Sequence, residues 1–146
     1  MYKSNSFEYM PKTTDYGKEP LVINIDRVTK ANKNYRTALW TGEYLQTTLM
    51  CIPVHDDIGL EIHPCTDQFI RIESGCGLVM MGKCKDALNY QKEVNKNYAV
   101  FVPAGTWHNI VNIGNMPLKL YTVYAPPHHP FGTVERTKAD AEHEHK

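Results

Sequence analysis

The sequence has no excess of charge of either sign. Lys and Arg together number 16 and Asp and Glu together also number 16, so the formal net charge is zero. Long-range attraction to nucleic acid or to an acidic membrane surface depends on a charged field, which a balanced sequence does not supply. We therefore expect neither a nucleic acid nor a membrane as a partner.

Long hydrophobic runs are also missing. No stretch reaches the roughly 18 apolar residues that suggest a membrane-spanning helix, and the opening residues MYKSNSFEYM contain no apolar segment of signal-peptide length. These absences predict a cytoplasmic protein. The four cysteines, Cys51, Cys65, Cys76 and Cys84, show no C-x-x-C spacing, so we expect free thiols rather than disulfides in that compartment.

Short segments of β-type composition recur along most of the chain. Each is rich in β-branched or aromatic residues and is bounded by Gly, Pro, Asn or Asp. The segments are LVINID (21–26), RTALW (36–40), LQTTLMCI (45–52), IGLEIH (58–63), QFIRIE (68–73), GLVMMG (77–82), YAVFVP (98–103), WHNIVN (107–112) and LKLYTVY (118–124). This spacing predicts a single all-β domain, a sandwich or barrel, because α/β folds place helical patterns between their strands.

The two ends of the chain differ in composition from the middle. Residues 1–20 are polar, rich in tyrosine and interrupted by two prolines, which predicts an extended N-terminal arm. The predicted barrel occupies residues 21–136, with a helical turn within 27–35. Residues 137–146 have helix-forming composition and begin with Thr137 as an N-cap, so we predict a short C-terminal helical tail.

One β-type segment carries polar side chains on a single face. Side chains alternate along a strand, so Glu61, His63 and Cys65 point to one side, while Leu60 and Ile62 point to the other. An unpaired charge is expensive to bury in an apolar core. This face is therefore either exposed to solvent or lines a polar cavity.

A second polar pattern surrounds His108. Pro103, Gly105, His108 and Asn112 have the spacing P-x-G-x-x-H-x-x-x-N, and this stretch resembles the second motif of the cupin family. Asn97 stands where that motif usually has a turn glycine, and Asn accepts positive φ better than most residues. The resemblance implies a double-stranded β-helix, which is a small jelly-roll barrel.

The first cupin motif, which reads G-x5-H-x-H-x(3 or 4)-E-x6-G, is matched less closely. We assign His63 to its first histidine and Cys65 to its second, with Gln68 in the glutamate position and Gly75 in that of the final glycine. In this assignment the gap before Gln68 is one residue short. The resemblance extends over roughly residues 45–125.

The chain is most similar to small single-domain cupins of the mannose-6-phosphate isomerase-like type. This resemblance implies one divalent metal ion inside the barrel. The implied ligands are His63, Gln68 and His108, and Cys65 is a further candidate. Zn, Fe, Mn and Ni suit such a set of donors. Glu61, on the same face, is either a competing ligand or a catalytic general base.

The segment YAPPHHPFGTVERT contains three prolines and cannot continue a central strand. It leaves the barrel along an extended path, either across the barrel mouth or as a strap over a sheet edge or a dimer contact. In the first case His128 or His129 reaches the cavity, or Tyr121 and Tyr124 position a ligand there.

Two functional classes are compatible with this site. One is a metal-dependent enzyme acting on a small polar metabolite, with sugar isomerase-like or dioxygenase chemistry. The other is a non-catalytic module that binds or senses a small molecule. The predicted cavity-facing strands carry no cluster of Lys or Arg, which disfavours a phosphorylated substrate. Sheet-edge pairing, common among cupins, implies a homodimer.

Overall fold

The computed structural model describes residues 15–144 as two antiparallel β-sheets with two short helices. The strands are β1 (Arg36–Thr41), β2 (Gln46–Ile52), β3 (Asp67–Ser74), β4 (Gly77–Gly82), β5 (Tyr90–Val94), β6 (Ala99–Val102), β7 (Trp107–Asn112), β8 (Leu118–Ala125) and β9 (Val134–Glu135), and the helices are α1 (Ile25–Ala31) and α2 (Lys138–Glu144). The larger sheet has the order β6-β3-β8-β2-β1-β9, and the smaller has the order β5-β4-β7. This architecture confirms the predicted all-β jelly roll with a short C-terminal helix.

Apolar side chains from both sheets fill the main core. Ile70 and Ile72 of β3 and Leu118 and Leu120 of β8 pack in one cluster with Val79 of the smaller sheet, and all five are almost completely buried. These residues occupy alternate positions along their strands, as a sheet with one buried face requires. Burying one such side chain fully contributes about 1.5–3 kcal/mol, so this cluster holds the two sheets together.

Helix α1 packs on a second, smaller apolar cluster. The side chain of Asn24 caps the helix by accepting a hydrogen bond from the backbone N–H of Arg27 at 3.0 Å. Val28 then packs against Leu39 of β1 and Leu49 of β2. The helix therefore covers the face of the larger sheet that points away from the main core.

Two predicted strands are replaced by other structure. The strand predicted over residues 21–26 is wrong, because α1 begins at Ile25, directly after its Asn24 cap. Residues 58–63 form only an isolated bridge at Glu61. Strand β5 was not predicted, because four of its five residues are exposed and its composition is mostly polar.

The N-terminal arm lies mainly outside the described residues, since residues 1–14 are not among them. From Asp15 onward the chain is tied to the barrel. The buried Asp15 carboxylate accepts hydrogen bonds from the backbone N–H groups of Thr41 at 2.9 Å and Gly132 at 3.1 Å. This end of the described chain is therefore anchored beside β1.

Helix α2 has the predicted capping box. The backbone N–H of Asp140 donates to Oγ1 of Thr137 at 3.2 Å, and the backbone N–H of Thr137 donates to the Asp140 carboxylate at 3.2 Å. Among residues 15–144, neither helix is long and apolar enough to cross a membrane. All four cysteines are free thiols, as predicted.

Candidate functional site

The segment that precedes β3 runs antiparallel to β7. The backbone N–H of Glu61 donates to the carbonyl of His108 at 3.1 Å, and the N–H of His108 donates to the carbonyl of Glu61 at 3.0 Å. The N–H of Gly105 donates to the carbonyl of His63 at 2.9 Å, from a turn in which Gly105 has a φ of 79° that glycine adopts without strain. This pairing places Glu61 and His63 next to His108.

The three side chains form a compact cluster of potential metal ligands. Nε2 of His63 lies 3.2 Å from Oε1 of Glu61, and Nε2 of His108 lies 3.5 Å from the same oxygen. One ligand atom from each residue lies within 4.8 Å of the others. Both histidines are buried, whereas the Glu61 side chain keeps 29% of its exposure. All three donors are within reach of one ion.

The protonation of His108 is set by Thr106. Nδ1 of His108 lies 3.0 Å from the carbonyl oxygen of Thr106, so Nδ1 carries the proton and Nε2 presents a lone pair. Nε2 is buried and makes no hydrogen bond within the described part of the chain. It faces Oε1 of Glu61, which also has only lone pairs when the carboxyl is ionised. These two atoms face each other favourably when either a proton on Nε2 or a metal cation lies between them.

Electrostatics favour the ionised form of Glu61. Burial opposes ionisation, but the rings of His108 and His63 outweigh this effect, because each can donate to the carboxylate when its Nε2 is protonated, and they hold the pKa of the Glu61 carboxyl well below its usual range. The carboxylate is therefore negatively charged at neutral pH and adds an anionic oxygen donor to the two imidazoles.

Gln68 supplies a further buried oxygen. It lies on β3 directly opposite Tyr124 of β8, and its Nε2 donates to Oγ1 of Thr122 at 2.9 Å. This bond leaves Oε1 as a buried acceptor that has no hydrogen-bond donor in residues 15–144. The ring of Tyr124 is 5.6 Å from the ring of His63, so Gln68 lies on the strand pair adjoining the cluster.

These positions favour another register of the first motif, which places Glu61 and His63, and not His63 and Cys65, beside His108. Its two histidine positions fall on Glu61 and His63, and its glutamate position falls on Gln68 after an allowed gap of four residues. Gly75, with a φ of 94°, is the final glycine, and His55 takes the place of the leading glycine with a φ of 69°. The sequence already contains a signal for this register. The motif allows three or four residues before its glutamate position, and the assignment with Cys65 leaves two, whereas the assignment with His63 leaves four.

Two predicted site residues lie away from the cluster. Cys65 is exposed in the turn before β3 and is not among the grouped ligand atoms. Tyr121 points to the opposite face of β8, where it packs against the cluster that contains Val28 and Leu49. Tyr121 and Tyr124 are three positions apart on β8. Because side chains alternate along a strand, the two rings point to opposite faces.

The proline-rich segment follows both predicted paths, because its first part runs beside the cluster and its later part covers the edge of β1 as β9. The ring of His128 lies 4.1 Å from that of His63, and Nε2 of the buried His129 lies 3.3 Å from the hydroxyl of Tyr124. Fully buried Gln46 holds this segment, because its Oε1 accepts from the N–H of His129 and its Nε2 donates to the carbonyl of His129, both at 2.9 Å. No sequence motif marks Gln46.

A cavity of about 390 Å³ opens beside the cluster. Glu61, His63, His128 and His129 contribute to its walls, and α2 also borders it. Cavities of this size hold small molecules. Burial raises the pKa of Tyr124, which lies beneath these histidines, to about 12, so its phenol keeps its proton at neutral pH.

A buried ion pair on the cavity wall has no counterpart in the sequence motifs. Arg36 of β1 and Glu135 of β9 are direct partners in the strand register, and their side chains are 4% and 1% exposed. Arg36 lines the cavity. Burial disfavours its charged form, but Tyr124 and Glu135 outweigh this effect and raise the pKa of the guanidinium. The two residues are 99 positions apart, so local sequence patterns do not connect them.

Helix α2 is tied to the segment that leads to Glu61. Nζ of Lys138 pairs with Asp57 and with Asp56, the latter at 3.1 Å. Nδ2 of Asn109 also donates to Asp57 at 3.1 Å. Partial burial opposes ionisation of Asp57, but the hydrogen bonds from Lys138 and Asn109 outweigh it and lower the pKa of this carboxyl.

Comparisons with known proteins agree with this architecture. The Cupin domain family model matches residues 48–124, which include the whole ligand cluster. The chain is 63% identical over 127 residues to the uncharacterized protein YrkC of Bacillus subtilis (strain 168), covering 87% of this chain and 68% of that protein. It is 41% identical over 115 residues to the uncharacterized protein L612 of Acanthamoeba polyphaga mimivirus, covering 78% of this chain and 70% of that protein. The crystal structure of BH2720 from Bacillus halodurans, 59% identical, superposes over 89% of this chain and 98% of that one with a TM-score of 0.88. The chain therefore belongs to the cupin family.

Proposed function

We propose that this protein binds one divalent transition-metal ion through Glu61, His63 and His108, with the amide oxygen of Gln68 as a fourth donor. The observation that carries the proposal is the buried Nε2 of His108, which makes no hydrogen bond to any residue that the structure describes and faces the Glu61 carboxylate. The buried Oε1 of Gln68 is a second acceptor atom that has no hydrogen-bond partner among residues 15–144. Imidazole nitrogens with oxygen donors suit Fe, Zn, Mn or Ni, so the residues present fit such an ion.

The donor set also favours one reaction class. Two histidines and one carboxylate, with coordination positions left open, are the ligands of non-haem iron(II) oxygenases. Iron(II) held in this way supplies the activation of dioxygen. We therefore favour a metal-dependent dioxygenase that acts on a small polar metabolite over a sugar isomerase. In this proposal Glu61 is a ligand and not a general base.

Residues around the proposed metal site orient its ligands and hold the cavity wall in place. The Thr106 carbonyl orients the His108 ring, so that its lone pair faces inward. Gln46 holds His128 and His129 beside the cavity through their backbone. Tyr124 keeps its proton and lies next to His129 as a buried hydrogen-bonding group.

Metal content tests the proposed site. Purified wild-type protein, the His108→Ala variant and a control His143→Ala variant, altered on the exposed side of α2, would be loaded anaerobically with Fe(II), desalted and analysed for iron. We expect equal iron in the wild type and the control. His108→Ala should lose more affinity than the roughly 10- to 100-fold that outer-shell substitutions cause. Equal iron in wild type and His108→Ala would overturn the site.

Nitric oxide tests the reaction class separately, because it occupies the positions that dioxygen would use. Iron-loaded wild-type protein is expected to give a high-spin iron–nitrosyl signal in electron paramagnetic resonance. His108→Ala should lose that signal. Iron-loaded protein with no such signal would contradict the oxygenase proposal while leaving the metal site intact, and would favour a binding or sensor module.

A further inference from the structure

The Arg36–Glu135 pair is placed where it can meet a ligand. Both side chains are almost completely buried, and Arg36 lines the cavity that also contains Glu61 and His63. Replacing a buried ion pair by apolar residues of similar volume is often neutral or stabilising. Stability alone therefore does not account for a charged pair at this position, and the location of Arg36 on the cavity wall indicates recognition.

The Arg36 guanidinium has more donors than nearby acceptors. A guanidinium carries five N–H groups. Oε1 of Glu135 accepts from Nη1, and the thioether sulfur of Met50, a weak acceptor, lies 3.8 Å from Nη2. Nε is buried and makes no hydrogen bond among the described residues. A buried charged group with unused donors next to a cavity calls for acceptor oxygens from a bound molecule.

Building on the proposed metal site, we propose that the cavity binds a small carboxylate-bearing metabolite, whose carboxylate accepts hydrogen bonds from Arg36 while the remainder extends toward Glu61, His63 and His108. The planar fork of a guanidinium matches the two oxygens of a carboxylate. The cavity volume of about 390 Å³ limits the ligand to a small molecule.

The charges around the cavity favour a carboxylate over a phosphate. Of the two cationic side chains that line it, Lys138 is already paired with Asp56 and Asp57. Arg36 is already paired with Glu135. One partly neutralised guanidinium suits a single negative charge better than the nearly double charge of a phosphate group.

The test uses lactate and inorganic phosphate as probes, titrated calorimetrically into Zn(II)-loaded and metal-free protein. The variants are Arg36→Lys, which keeps the charge but loses the fork, and the double variant Arg36→Met/Glu135→Leu, which removes both charges together. Arg71→Met is the matched control, because Arg71 is partly exposed on β3 and bonds to Asn97. Circular dichroism melting verifies that each variant is folded.

We expect wild type and Arg71→Met to bind lactate with equal affinity and to bind phosphate at least about tenfold more weakly. Both Arg36 variants should lose lactate affinity by about 10- to 100-fold. Arg36→Lys loses the two parallel hydrogen bonds of the guanidinium fork, and the double variant loses the charge as well. If one Arg36 variant fails to fold, the other decides the result.

Three outcomes would overturn the carboxylate site. They are equal lactate affinity in wild type and a folded Arg36 variant, no lactate binding by wild type at millimolar concentrations, and tighter binding of phosphate than of lactate. Failure of the metal site is distinguishable from these. Protein that binds no Zn(II) but still binds lactate in an Arg36-dependent manner would refute the metal site and support the carboxylate site.

Discussion

Replacing Glu135 by glutamine tests how the last strand is held to the barrel. The side chains of Arg36 and Glu135 join β1 to β9 and are 4% and 1% exposed. Glu135→Gln keeps the shape of the side chain but removes its charge. The Arg36 guanidinium then stays in a buried place with no anionic partner from β9.

We expect a large loss of stability, because the side chains of both Arg36 and Glu135 are buried. Removing one partner of a buried pair costs about 3–5 kcal/mol, because the remaining charge is uncompensated. A domain of this size is stable by only about 5–15 kcal/mol. An unfolding entropy of about 2.1 cal/mol/K per residue applied to 146 residues converts the loss into a Tm that is lower by about 10 °C or more.

The assay is urea denaturation and thermal melting of wild type, Glu135→Gln and a control Glu93→Gln. Glu93 is exposed on β5, so the same chemical change there should alter stability by less than about 0.5 kcal/mol. The double variant Arg36→Met/Glu135→Leu should recover most of the loss, because it buries no charge. If Glu135→Gln is as harmless as Glu93→Gln, the ion pair does not hold β9 and the reasoning fails.

Three other predictions address the cavity mouth, the proline-rich segment and the oligomeric state. Lys138→Met should destabilise metal-free protein by about 0.5–1 kcal/mol at pH 7. Because the pKa of Asp57 is lowered and that of Lys138 is raised, the difference should be full between about pH 4 and pH 10 and should shrink as the pH falls below that range through the lowered pKa of Asp57. Urea midpoints whose difference does not shrink as the protein is acidified would contradict it. Gln46→Leu removes the partners of the N–H and carbonyl of His129, so we expect a loss of about 2–4 kcal/mol in urea denaturation; an unchanged midpoint would show that the segment is held by other contacts. We predict a homodimer that pairs through the β6 edge of the larger sheet, where Phe101 is 69% exposed. Light scattering should report a dimer for wild type and a monomer for Phe101→Asp. A monomeric wild type would refute this prediction.

Local patterns were sufficient to predict most of the barrel. Segments such as QFIRIE and LKLYTVY are rich in β-branched and aromatic residues, and they form strands β3 and β8, which bury every second residue from Gln68 to Ile72 and from Leu118 to Tyr124. The capping box at Thr137 and the turn at Gly105 also formed as their residues predict. These features depend on residues a few positions apart, whose energetics are largely independent of the rest of the chain.

Local patterns led to a wrong prediction in two places. In one, a capping side chain starts a helix, and in the other, a strand is mostly exposed. The β-branched composition of residues 21–26 favours a strand, but the Asn24 side chain caps a helix and Val28 gains burial on the sheet. Strand β5 is mostly polar, and Val94 is its one buried residue. It exists because its backbone pairs with β4, and composition does not report such pairing.

The choice of residues around His108 shows why tertiary structure was needed for the site. Side-chain parity places Glu61, His63 and Cys65 on one face, and a shift of two residues preserves that parity, so parity cannot distinguish the pair Glu61 and His63 from the pair His63 and Cys65. The hydrogen bonds between Glu61 and His108 select the first pair. Arg36 and Glu135 likewise meet only because β9 returns to β1 at the end of the chain. Contacts between distant segments depend on strand register, which the whole packed barrel sets and no short stretch of sequence encodes.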